Sequence, residues 1–418
     1  MVSITSSDPP STTKIAGSHK QIWLAIAVSY VERLAAFAMP LLMLRGGGGQ
    51  ETFISVEYVI SISIIAATFF DLGLRGYVMY HFRLHGDARV TTMLTARAFL
   101  LVFLAQIAIL VTTTLAVSTT LDGQLPEAAF TLGVARGVAL SIIGLTTQLL
   151  ILNGRPLTGM LISLSAWLFG AAAFVLPDAS SIFLRLNIFF SATFLIILAT
   201  PVALWFTTGF RVNSDGIRHF AQSFRWGWPL LAGAAASILV AHLSRIYAFS
   251  NFDLEIGVGF AFWLRIFSVM QLNHKATIAV LSPRIFSHTQ TAITSDVVRA
   301  YQLHMAPSVI FSFVTVALAP TAATYLSVDI PTIPFTVAAA LGFYTLLWCS
   351  GAFLELYLVR ESHTREVLVA GLVPAAGFMV FLFSIPSPTI TAVSIAMLVS
   401  SAVQCALLAR LIKLRRQA

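Results

Sequence analysis

The chain has 418 residues, of which 58% are apolar and only 10% charged. An ordinary soluble domain carries about 25% charged residues, so a soluble globular protein is excluded and most of the surface must face lipid. The formal net charge of +8 does not indicate nucleic-acid binding, because the basic residues sit at the ends of apolar segments and no basic run is interleaved with aromatics.

Residues 1–20 are polar, rich in Ser and Thr, and contain Pro9 and Pro10; they read as a disordered cytoplasmic tail. The apolar run that follows is too long for a cleaved signal peptide and is interrupted by Glu32 and Arg33. Apolar stretches of helix length then recur near 21–44, 53–80, 91–117, 126–152, 158–177, 181–208, 226–249, 256–282, 303–325, 333–358, 366–385 and 388–410. At 1.5 Å per residue, each can cross a hydrocarbon layer of about 30 Å. The expected fold is an all-α polytopic membrane protein with about twelve transmembrane helices.

Loop charges orient the spans. With a cytoplasmic N-terminus, sixteen basic residues fall on the cytoplasmic side and one, Arg45, on the outer side. The outer loops carry Glu51, Asp122, Glu127, Asp178, Asp253, Glu255 and Asp329 instead. This positive-inside asymmetry predicts an even number of spans with both termini cytoplasmic. All connections are short, which leaves no room for a soluble catalytic domain. The basic 209–225 connection divides the chain into an N-terminal six-helix bundle, 21–208, and a C-terminal one, 226–410, followed by a basic cytoplasmic tail, 411–418. Each half opens with a helix holding an internal arginine, Arg33 or Arg245. Two-lobed transporters built from repeats place their site between the lobes.

Charges inside spans are the candidate functional residues, since one at the bilayer centre costs about 2.5–3.5 kcal/mol on insertion scales. Arg33, Arg136 and Arg265 lie about nine or more residues from either span end, and Lys275 is intermediate, with His274 beside it. Arg97, Arg185 and Arg245 lie close enough to an end to snorkel to the interface, and so do Glu57 and Glu355. Asp71 and Arg75 are four apart and can pair on one helix face, as a charge-neutral cap or gating pair at the end of the second span. Glu32 is the one deeply placed carboxylate, and it points about 100° away from Arg33 on a helix. The deep charge is therefore mostly positive, and a cavity of that balance suits an anion. Guanidinium groups fit phosphate because their planar fork binds two oxygens at once.

Other signals read as structural. The Gly-rich "RGGGGQE" (45–51) lacks the Lys-Ser/Thr of a phosphate loop and reads as an outer turn. His81 and His85 have i, i+4 spacing but no following Glu, and they lie at a basic cytoplasmic edge, so they do not read as a metal site. Cys349 and Cys405 have no CxxC spacing and read as free core thiols. "GVARG" (133–137) is a small-xxx-small pattern that favours close helix packing.

Three stretches carry a family resemblance. They are "FFDLGLRGYVMYHF" (69–82), "FRWGWPLLAGAAASILVAHLSRIYAF" (224–249) and "VGFAFWLRIFSVMQLNHKATIAVLSPRIFSH" (258–288). The chain resembles the polysaccharide (O-antigen) flippases of the multidrug/oligosaccharidyl-lipid/polysaccharide exporter superfamily over nearly its whole length. It departs from them at Ser244, where many members have Asp before the arginine of the seventh helix.

The resemblance implies a V-shaped, two-bundle transporter in the bacterial cytoplasmic (inner) membrane. Such a protein flips undecaprenyl-pyrophosphate-linked oligosaccharide to the outer leaflet, is not an enzyme and needs no cofactor. Its partners are the lipid-linked substrate, membrane lipids and other polysaccharide-assembly proteins. Arg33, Arg136, Arg265 and Lys275 would line the central cavity and accept the pyrophosphate. Glu32 would hold an arginine in place in the empty cavity, or bind a coupling proton or Na+. Two alternatives stay open: a drug or metabolite exporter of the same superfamily, and an integral-membrane polymerase, ligase or glycosyltransferase. The second usually carries a large outer loop or a paired-acid motif, and neither is seen here.

Overall fold

The computed structural model describes residues 49–78, 127–152, 157–164, 215–285, 295–326 and 333–417, together with Leu24, Ala27, Val28, Tyr30, Val31, Glu32, Ala35, Ala108 and Arg155. Its named elements are α1 (Gly49–Phe70), α2 (Glu127–Leu152), α3 (Asp215–Asn251), α4 (Leu254–Ile285), α5 (Ser295–Leu326), α6 (Phe335–Arg360), α7 (Thr364–Ser384) and α8 (Ile390–Gln417). Among the described residues these eight helices are all long and apolar enough to cross a membrane. They coincide with eight of the twelve expected spans. The spans near 91–117 and 181–208, and most of those near 21–44 and 158–177, lie outside the described residues. Arg33 lies outside them too.

The helices are longer than hydrophobicity alone marks. α3 begins at Asp215, so most of the expected 209–225 connection is helix. α8 continues to Gln417, which makes nearly all of the basic tail a helical extension. The physical reason is common to both: a helix needs apolar side chains to enter lipid, but its polar end leaves the membrane with the backbone bonds intact.

Among the described residues, two large apolar cores stand out. One joins α1 to α2 through Phe70, Leu74, Val78, Val138, Ile142 and Leu149. The larger joins α3 to α8 through residues such as Phe260, Phe267, Met270, Tyr344, Phe378 and Met397. The two groups meet where Phe53 of α1 packs against Val258 and Ala261 of α4.

Small residues set the closest approaches. A Cβ on Gly137 of α2 would lie 2.5 Å from Ala66 Cβ and 2.8 Å from the Ser63 carbonyl oxygen of α1. Gly133 meets Ile62 of α1 in the same way. The "GVARG" stretch is thus the seam of the α1–α2 pair. We expect Gly137→Leu to cost about 1–3 kcal/mol through overpacking, read as a lowered thermal unfolding midpoint in detergent; an unchanged midpoint would refute the seam.

The "DLG" of 71–73 interrupts α1. Leu72 and Gly73 have φ of 47° and 75°, and the chain turns helical again from Leu74 to Val78. Arg75 Nε donates to Asp71 Oδ1 at 2.8 Å, so the expected pair forms and spans the turn. Gly73 is required twice here: by its left-handed backbone and by Gly227 of α3, whose carbonyl carbon would lie 2.4 Å from a Cβ at position 73.

Candidate functional site

α1 and α3 run antiparallel, in contact at two widely separated levels. One is Gly73 against Gly227. The other is Glu57, whose carboxylate accepts from Arg245 Nη1 of α3 at 3.4 Å and from Arg265 Nε of α4. The levels are 16 residues apart on α1 and 18 on α3, or about 24–27 Å at 1.5 Å per residue. This is most of a bilayer's hydrocarbon thickness.

The Glu57 level is fully buried. Glu57 is 0% exposed, Arg245 6% and Arg265 6%. Arg136 of α2 is also buried, at 3%, and lies within the electrostatic reach of Arg265. Four charged side chains from four helices therefore converge, three positive and one negative. Counted along their helices, they lie six to eleven residues in from the α3–α4 end. A carboxylate taking bonds from two guanidinium groups is the arrangement that makes such burial tolerable, since a buried unpaired charge costs several kcal/mol.

Two members of this cluster correct the sequence reading. Glu57 and Arg245 were expected to snorkel from span ends. Instead α1 starts at Gly49, four residues before the expected boundary, and Glu57 faces the other bundle rather than lipid. Glu355 differs in the same way. Its Oε1 accepts from Gln404 Nε2 of α8 at 2.8 Å, and that amide also donates to Ser237 Oγ of α3 at 2.8 Å, so Glu355 is tied inward.

The remaining expected residues spread out. Lys275 is exposed on α4, ten residues beyond Arg265 and further from the α3–α4 end. Beside it, Asn273 takes a hydrogen bond from Tyr30 Oη at 2.7 Å and donates to the His304 carbonyl at 2.6 Å and Ser308 Oγ at 3.0 Å. This ties the first span to α4 and α5. His274 and the Tyr301 hydroxyl share a hydrogen bond of 2.7 Å, and that hydroxyl also donates to the Cys349 carbonyl at 3.1 Å. Glu32 accepts from Ser163 Oγ at 2.7 Å. No group of three or more His, Cys, Asp or Glu able to hold a metal ion occurs among the described residues.

No protein-family model matches the sequence, and no curated protein matches it. Solved structures do match the fold. A eukaryotic MATE transporter, AtDTX14, superposes with a TM-score of 0.63 at 11% identity, covering 94% of each chain. The fold is that of a MATE-type transporter. An inward-facing multidrug resistance MATE family transporter of the MOP superfamily gives a TM-score of 0.61 at 12% identity, over 95% of this chain and 99% of the other. A MOP superfamily transporter from Pyrococcus furiosus, reported to have a binding pocket of reverse polarity, gives 0.54 at 10% identity over 94% of each chain. The all-helical, V-shaped architecture implied by the resemblance is therefore present, in a chain whose sequence shares only 10–12% identity with these structures. The chain is a multi-pass membrane protein of this fold.

Proposed function

We propose that this protein is an alternating-access membrane transporter whose cargo carries a negatively charged group. The observation that carries this reading is the buried set Arg136, Arg245, Arg265 and Glu57, in which guanidinium groups from three helices gather about one carboxylate from a fourth. Taking a cation into that site would be opposed by the full field of the arginines. An anion is attracted, and guanidinium donors recognise its oxygens in pairs.

The bundles correspond to 21–208 and 226–410, with both termini cytoplasmic, so the α3–α4 end is the outer one. Exposed Lys275 stands on the inner side of the cluster, where an anion entering from the cytoplasm meets it before Arg265. Arg33, in the first span, joins the same cavity in this reading. Glu57 holds the outer side shut by bridging the bundles. An anion bound to Arg245 and Arg265 competes with it and loosens that bridge. Asp71 with Arg75 rigidifies the inner end of α1. Glu32 is a coupling or positioning carboxylate.

Two cargos meet these requirements. Undecaprenyl-pyrophosphate-linked oligosaccharide, the repeat unit of a surface polysaccharide, is favoured by the three flippase-like stretches and by the gathering of buried guanidinium groups. In that case the protein works in the bacterial inner membrane beside polysaccharide-assembly proteins. A small anionic drug or metabolite is favoured by a structural neighbour that is a multidrug transporter.

Reconstituted protein separates them. Proteoliposomes would be assayed for movement of a fluorescent polyprenyl-pyrophosphate oligosaccharide between leaflets, and in parallel for uptake of labelled organic anions. We expect wild type to move the lipid-linked sugar, and Arg136→Ala with Arg265→Ala to move it at least about tenfold more slowly. Uptake of small anions without lipid movement selects the exporter. Equal rates in wild type and the double variant would refute the site.

A further inference from the structure

The exposed stripes of α7 and α8 both end in cations, at the same end of the molecule. On α8 the exposed positions Ile395, Val399, Val403 and Ala406 recur every three or four residues and so form one face of the helix. The same face continues to Arg410, Lys413 and Leu414, all exposed. On α7 the exposed stripe passes through Val380, Ala376, Val373 and Val369 and ends on Arg365.

Length places these cations in the headgroup layer. Arg410 follows Ile390, the first residue of α8, by 20 residues, or about 30 Å at 1.5 Å per residue. That is one hydrocarbon thickness. The apolar side chains of the stripe therefore meet acyl chains, and the guanidinium comes where those chains end. Lys413 and Leu414 stand in the next turn, and a cation beside an exposed leucine suits an interface that is wet on one side and apolar on the other.

The two helix ends are also tied to each other. Glu366 of α7 accepts from Arg415 Nη2 of α8, and His363 Nδ1 lies 3.6 Å from the same carboxylate oxygen. Next to that bridge, Leu408 of α8 packs with Val367 and Ala370 of α7, and Leu411 and Ile412 pack against them. Arg415 and Glu366 neutralise each other. Arg365, Arg410 and Lys413 then stand within five residues of the bridge along their helices, and none has an ion-pair or hydrogen-bond partner among the described residues. Membrane orientation asks only for basic residues beyond a span. It does not ask for them on the lipid-facing stripes of two helices braced together.

We propose that the joined ends of α7 and α8 are a binding surface for the headgroup of an anionic phospholipid, in the leaflet where α8 ends. Arg365, Arg410 and Lys413 take the headgroup phosphate, and the apolar stripes beside them take the acyl chains. Glu366 with Arg415 is the brace that holds the two helices at a fixed spacing. A basic residue near an anionic membrane surface is worth about fivefold in binding, so three of them set a clear preference over a zwitterionic lipid. The surface uses no residue of the Glu57 cluster and does not depend on the cargo.

The test is native mass spectrometry of the full chain released from detergent. The probes are dioleoylphosphatidylglycerol and the zwitterionic dioleoylphosphatidylcholine, whose acyl chains are identical, so the difference reads the headgroup alone. We expect wild type to bind the anionic lipid at least about tenfold more tightly. Arg365→Gln with Arg410→Gln and Lys413→Gln should bring the two lipids within about twofold of each other. Arg410→Gln with Lys413→Gln leaves α7 untouched, should lose at least about fivefold of the preference, and decides the matter if the triple variant does not fold. Arg410→Lys with Lys413→Arg keeps the charge and should bind as wild type does. Arg299→Gln, at an exposed arginine of α5 outside the set, should leave the preference unchanged. Equal affinity of wild type for the two lipids would overturn the surface, and so would a wild-type preference in the neutralised variants. A loss in Arg299→Gln as large as theirs would trace the preference to net charge rather than to this face, and would overturn it too.

Discussion

Replacing Glu57 with leucine is expected to destabilise the protein by about 3–5 kcal/mol, the cost of breaking a buried ion pair from one side. The carboxylate is fully buried and serves two guanidinium groups at once. Its loss takes from Arg245 and Arg265 the carboxylate they share, with Arg136 nearby. Glu57→Gln is the milder change, because its amide oxygen still accepts one hydrogen bond while the compensating charge is gone. The two arginines themselves supply the control. Adding Arg245→Leu and Arg265→Met to Glu57→Leu removes the stranded charges, and apolar replacement of a whole buried ionic group is often neutral or stabilising. Thermal unfolding in detergent should therefore show a large drop for the single variant and recovery for the triple. The triple variant should still fail in transport. A single variant as stable as wild type would mean that the arginines have other compensation and that the bridge is not what joins the bundles here.

Much of this architecture is legible from hydrophobicity because a span must be long, apolar and uninterrupted. The eight described helices fall where those runs are. The depth of Arg136 and Arg265 could also be read, since nine or more residues of apolar helix on either side leave a guanidinium no route to the interface. The Asp71–Arg75 pair and the 133–137 seam are local patterns of residues four apart, and they follow from helix geometry alone.

The other half of the cluster was hidden for the opposite reason. Glu57 meets Arg245 and Arg265 across separations of 188 and 208 residues, and no periodicity encodes such a meeting. Distance from a span end says how far a side chain must reach to leave the membrane. It does not say whether that side chain faces lipid or another helix. The first turns of α3 carry Arg218 and Arg225, so hydropathy does not mark them as part of a span, although a charged helix end is stable once it is in water.

The contact between Gly73 and Gly227 predicts that Gly227→Leu should hold α1 and α3 apart at that end. A Cβ at position 227 would lie 2.6 Å from the Gly73 carbonyl oxygen and 2.8 Å from its Cα. Both are backbone atoms that no rotamer change can move aside, and Gly73 cannot retreat without giving up its turn. The separation can be measured with spin labels at Phe69→Cys and Phe224→Cys. These side chains are exposed on α1 and α3 near the contact, and Cys349 and Cys405 would first be replaced by alanine. The label distance should lengthen in Gly227→Leu and lengthen less in Gly227→Ala; an unchanged distance would show that the contact is not needed for closure. In the proposed transporter the consequence is functional. The Glu57 level of this helix pair is joined by charge, which a bound anion would displace. The Gly73–Gly227 level is joined by close backbone packing, which an added side chain would hold open. A variant fixed open there would still offer the arginines to cargo but could not carry it onward. Gly227→Leu should therefore lose at least about tenfold in transport while binding an anionic cargo as wild type does, and loss of binding together with transport would mean that the glycine pair shapes the site rather than the gate.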